Sequence, residues 1–152
     1  MSAGNANLSN VPPGFDETIA FHRFRAFSNG IGTVAGVEIA AQSAPAMPTV
    51  WMESASHYPL GKDWIAEGEE GVRDALAWHM AKGGGCAAFT VRKLIATYVD
   101  TWGGAIRCAA TFAAWKSLGH AEFDLMTERT WTGWRVLLKS DSDGQTPGPK
   151  AP

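Results

Sequence analysis

The chain has 152 residues, 45% hydrophobic and 18% charged, which gives enough apolar surface for a packed core and too few charges for a disordered chain. That length suits one domain. A net charge of -2 excludes a global basic field that would draw the chain onto nucleic acid or an anionic membrane, so any such binding needs local charge.

Residues 1–14 (MSAGNANLSNVPPG) are small and polar and are expected to form a disordered tail, as is 140–152. The first segment has no charged n-region and no apolar h-region, and no apolar run approaches the ~20 residues that span a bilayer, so a cytoplasmic protein is expected. Cys86 and Cys108 stand in no metal-ligand spacing and read as small hydrophobes in a reducing compartment.

The domain is expected over 15–139, with a β-rich part at 15–60 and a mainly helical part at 61–139. Residues 18–28 alternate, with Phe21, Arg23, Arg25 and Phe27 on one face and His22, Phe24 and Ala26 on the other. A helix over 15–27 is the alternative, since Ile19, His22 and Ala26 also share a helical face; strand is favoured. Asn29-Gly30 is a hairpin turn dipeptide, 33–41 alternates again, and 50–54 reads as a third strand. Asp63 is placed to cap a helix whose stripe holds Ile65, Val72, Leu76 and Met80, with Glu67, Glu69 and Glu70 early, where acids favour the dipole. Gly68 and Gly71 each cost about 1 kcal/mol against Ala, so this helix depends on packing. The run 83–85 ends it.

Phe89, Val91, Leu94, Ile95, Tyr98 and Trp102 then recur at helical spacing, with Thr90 as N-cap. Residues 105–118 give a further helix with Cys108, Phe112, Trp115 and Leu118 on one side, and Gly119 stops it. Strands are expected at 121–126 and 130–139, turning at 127–129. The later strand carries Trp134, Val136 and Leu138 on one face.

The order helix, helix, turn, helix, hairpin over 63–139 resembles the winged helix-turn-helix superfamily. Residues 90–94 (TVRKL) look like the opening of its first paired helix. Cys108, Phe112, Trp115, Leu118 and Gly119 match the core spacing of its recognition helix, and 130–138 match its returning wing strand. Two departures stand out: a long link around 100–105, and some 40 residues of strand ahead of the module. The resemblance implies an α+β fold, in which N-terminal antiparallel β-strands precede a three-helix winged-helix module with a C-terminal β-hairpin.

It also implies a DNA-binding regulator of transcription, usually dimeric. With Phe112 and Trp115 inward, Arg107 and Thr111 would read bases, Arg92, Lys93 and Lys116 would hold phosphates, and Arg129 would tip the wing. The alternative is a non-enzymatic adaptor or inhibitor gripping a protein partner through Trp131 and an alanine-rich helix face with Ala110 and Ala114.

No complete catalytic constellation stands out. His22, His57, His79 and His120 lack carboxylate or cysteine partners at metal-ligand spacing, and 54–58 (SASHY) reads as a turn with a small enzyme centred on His57 as a remote alternative. The glycines at 83–85 lack the phosphate-loop pattern, and 29–32 (NGIG) is a turn. No metal, cofactor or membrane partner is expected.

Overall fold

A computed structural model describes residues 17–28, 30–43, 49–52, 62–96, 101 and 103–139, with the backbone alone at 28, 43, 49–52, 62 and 63. Within them the order is β1 (Thr18–Ser28), β2 (Ile31–Ser43), β3 (Thr49–Met52), α1 (Lys62–Ala81), β4 (Ala87–Ile95), α2 (Ala105–Ser117), a 3-10 turn (Glu122–Asp124), β5 (Leu125–Thr130) and β6 (Gly133–Leu138). The expected roles of the Asp63 side chain, Asn29, the loop at 54–58 and both tails fall outside the described residues.

The alternation in 18–28 and 33–41 becomes one long antiparallel hairpin, β1 on β2, turning at Gly30 with φ +77°. Its second strand does not stop there. β4 pairs antiparallel with β2, and β3 pairs parallel with β4, so the four form one mixed sheet in the order β1-β2-β4-β3. The parallel step is spanned by α1, as a crossover helix must do. β5 and β6 form a separate hairpin.

The fold is α+β, but the winged-helix module is corrected. The described residues hold two α-helices, α1 and α2, not three, and the segment expected to open the helix-turn-helix is the inner strand β4. Its helical look comes from a β-bulge. Glu38 pairs with Lys93 and Ile39 with Val91, which leaves Arg92 as an extra residue. The inward positions are therefore Phe89, Val91 and Leu94, and the step of three across the bulge imitates a helical interval. Thr90 is mid-strand and caps nothing.

The hairpin turn is corrected too. It lies at Trp131-Thr132, not 127–129, and 122–124 is a 3-10 turn. Glu128 and Arg135 sit opposite each other in the ladder and pair at 2.7 Å, which keeps the polar stretch 127–129 in strand.

Both helices lie on one side of the sheet. Phe24 of β1, Ala35, Val37, Ile39 and Ala41 of β2, and Phe89, Val91 and Leu94 of β4 form one core with Val72, Ala75 and Leu76 of α1 and nearly all of α2. α2 buries Ala105, Ile106, Cys108–Ala114 with Phe112, and Trp115 and Ser117, so it is apolar all round, the pattern of a central helix. Its N-terminus has no side-chain cap of its own. Glu67 of α1 accepts the Arg107 backbone N–H at 3.3 Å and also faces the N–H groups of Gly104 and Ile106, placing an anion on the positive end of the dipole. Burial raises the pKa of Glu67 while these hydrogen bonds oppose the rise. Among the described residues no helix is long and apolar enough to cross a membrane.

Candidate nucleic-acid interface

With both helices on one side, the other face of the sheet has no described element packed on it. Strand alternation decides what it shows. On β1 the even positions His22, Phe24 and Ala26 turn toward the helices, His22 stacking on Phe112 at 4.4 Å. The odd positions Ile19, Phe21, Arg23, Arg25 and Phe27 are exposed, Phe27 at 73% and Phe21 at 39%.

Glycine on β2 shapes this face. Phe27 pairs with Gly32 and Arg23 with Gly36. A Cβ at Gly36 would fall 3.0 Å from Phe21 Cζ, and one at Gly32 would fall 3.4 Å from Phe27 Cδ1. Both phenyl rings therefore lie across bare backbone, and the two arginines stand between them.

β4 adds charge through its bulge. The extra residue puts Arg92 and Lys93, adjacent in sequence, on the open side, where regular alternation would expose only one of them. Arg92 Nε lies 3.5 Å from Glu38 Oε2. Arg23, Arg25 and Lys93 have no ion-pair partner among the described residues. Among the described residues the face thus holds four cations, Arg23, Arg25, Arg92 and Lys93, against Glu38 and, just before β1, Glu17.

The residues expected from sequence to bind DNA are divided by the structure. Arg92 and Lys93 reach the open face, on a strand. Arg107 grips Asp74 in a two-point pair at 2.8 and 3.1 Å and reaches Glu70 at 3.4 Å; these hydrogen bonds, with Asp74 foremost, raise its pKa. Thr111 is fully buried, its single hydroxyl proton shared between the carbonyls of Arg107 at 2.8 Å and Gly71 at 3.1 Å. Neither is placed to read bases, because α2 is the core helix. Lys116 is tied at the β1 edge to the Phe21 carbonyl at 3.0 Å, beside His22 and Glu122. Arg129 lies on the hairpin over the Trp134 ring, 5.8 Å from its centroid.

Of the residues expected at a protein interface, Trp131 is 96% exposed at the hairpin tip, whereas Ala110 and Ala114 are buried. Arg23 and Arg25 were the residues missed as binding groups. Their signal was the one-face row Phe21-Arg23-Arg25-Phe27, legible once 18–28 is a strand.

The opposite, helical side carries charges of both signs, with Arg107 and Arg135 beside three acids. Glu67, Glu70 and Asp74 line a depression of about 700 Å³ between α1, α2 and the hairpin. Among the described residues no group of three or more His, Cys, Asp or Glu could hold a metal ion.

No family model matches the chain, and no curated protein matches it. Its fold is similar to that of a Thermus thermophilus protein known as ttk003000868, at 16% identity and a TM-score of 0.56. The likeness covers 66% of this chain and 15% of that one, so the chain spans a small part of that protein's length. It bears on the fold alone.

Proposed function

We propose that the open face of the sheet binds single-stranded nucleic acid, as a non-enzymatic binding module. One observation carries this reading: the row Phe21-Arg23-Arg25-Phe27, with two exposed phenyl rings flanking two guanidinium groups that have no ion-pair partner among the described residues. Phenyl rings accept the π-faces of bases, and cations alongside track the phosphates. In a duplex those π-faces are covered by neighbouring base pairs, so this chemistry favours a single strand. Lys93, brought to the same face by the bulge, extends the basic track toward the sheet's centre.

Anisotropy of a labelled oligonucleotide tests the proposal. Binding through Arg23, Arg25 and Lys93 predicts a log-log salt slope of about -2, at roughly 0.7 per phosphate for single strands. The double variant Arg23→Ala/Arg25→Ala should flatten it to about -0.7. Phe27→Ala should weaken binding by about 1–3 kcal/mol. RNA and DNA strands, with a duplex control, separate the possible ligands. Salt-insensitive binding, or full affinity in the double variant, refutes the reading.

A protein partner held through Trp131 is the second reading, favoured by the exposure of that side chain at the hairpin tip. Its helix-face component falls away, since Ala110 and Ala114 face the core.

A further inference from the structure

His79 stands in the last turn of α1, and His120 follows the end of α2. Their rings meet, with His79 Nδ1 2.8 Å from His120 Nε2 and the planes at 70°. At that distance one nitrogen carries the shared proton and the other must be bare to accept it. The contact therefore needs at least one neutral ring.

Each half-buried ring is packed on one side. His120 stacks on Trp115 at 3.8 Å, and Trp115 is itself buried, its indole N–H donating to the Ala121 carbonyl and facing Asp124. His79 is walled by Gly84, where a Cβ would fall 2.2 Å from His79 Nε2, and the Gly84 N–H donates to the His79 carbonyl at 2.9 Å.

We propose that the His79–His120 pair is an acid-opened clasp joining the C-terminal ends of the two helices: it holds while a proton is shared and parts when both rings are charged. The charged groups facing it are Lys82, which disfavours protonation of His120, and Asp124, which favours it. Partial burial acts against charge on both rings, so the clasp is closed at neutral pH. The edge-on contact of Trp78 with Trp115 does not depend on protons and remains. Opening is therefore local to the end of α1.

Hydrogen exchange and imidazole ¹⁵N spectra of the whole chain test this without reference to nucleic-acid binding. As pH falls from about 7.5 through the second imidazole step, after correction for intrinsic rates, amides 79–84 should lose about tenfold more protection than those of central α2. The two imidazoles should titrate as a coupled pair in two steps. In His79→Gln, whose amide can bond without charging, the pH-dependent loss should vanish and His120 should titrate in one step. Independent single-step titration in the unaltered chain, or an equal protection change throughout, overturns the clasp.

Discussion

Replacing Gly71 with alanine sets two physical effects against each other. Helix propensity alone predicts a gain of about 1 kcal/mol, since Ala is the best residue in a helix interior and Gly among the worst. Packing predicts the reverse. A Cβ at Gly71 would fall 2.4 Å from the Arg107 carbonyl oxygen, 2.8 Å from Ala110 Cβ and 3.1 Å from the Thr111 nitrogen. Backbone cannot swing aside as a side-chain tip can, so α2 would have to retreat by about 1 Å to restore ordinary contact. Overpacking of this kind costs about 1–3 kcal/mol. The retreat also stretches the 3.1 Å bond from Thr111 to the Gly71 carbonyl, worth about 1 kcal/mol. Set against the propensity gain, the net expectation is destabilisation by about 2 kcal/mol. Urea denaturation followed by tryptophan fluorescence measures it, as a lower midpoint at unchanged slope. A variant as stable as the parent, or more so, refutes the close crossing of α1 and α2.

Three further outcomes are expected. Burial, with the Lys116 ammonium beside it, lowers the pKa of His22 to about 4, against a smaller opposing pull from Glu122. The unfolded chain then takes up a proton near pH 6.5 that the folded chain refuses, so stability falls as pH drops from 6.5 toward 4 and this contribution levels off below. At 1.36 kcal/mol per unit, and discounted for solvent at the ring's edge, the loss is about 2 kcal/mol; His22→Phe should flatten that part of the pH profile in urea melts, and an unchanged profile counts against the assignment. Gly104→Ala should destabilise by more than 2 kcal/mol in the same melts, because Gly104 has φ +82° and a Cβ there would sit 2.1 Å from the Trp134 carbonyl oxygen; wild-type stability would contradict the docking of the hairpin on that turn. Burial above all, with Glu67 nearby, pushes the Cys108 thiol up to about 12, so at pH 8 a thiol reagent should label the half-buried Cys86 and reach Cys108 only on unfolding; rapid labelling of both would place Cys108 wrongly.

What the sequence made legible follows from where local pattern and tertiary structure agree. The β1–β2 hairpin was readable because each strand alternates and a turn dipeptide joins them. α1 and α2 were readable from spacing and their glycine ends. β4 was not, because the bulge at Arg92 turned a period of two into a step of three. Without that helix the three-helix module is not formed, and α2, buried on nearly every side, encloses Thr111 and leaves Arg107 paired with Asp74 and Glu70.

The composition of α2 carries a second signal. α2 has only Arg107 and Lys116 as charged residues in AIRCAATFAAWKS, too few for a helix that grips phosphates and typical of one buried on every side. The capping of α2 by Glu67 was beyond local reading, since the two lie 40 residues apart. The candidate face was half legible: the row on β1 was visible as alternation, but its union with Arg92 and Lys93 depends on β4 lying beside β2.

Titration of the ¹⁵N-labelled chain with a short single-stranded oligonucleotide locates any bound strand directly. Shifts are expected along 19–27 and 90–95, with the Nε resonances of Arg23 and Arg25 moving most and those of Arg107 staying still. Shifts confined to the hairpin around Trp131, or to the depression at Glu67, Glu70 and Asp74, would contradict binding on the open sheet.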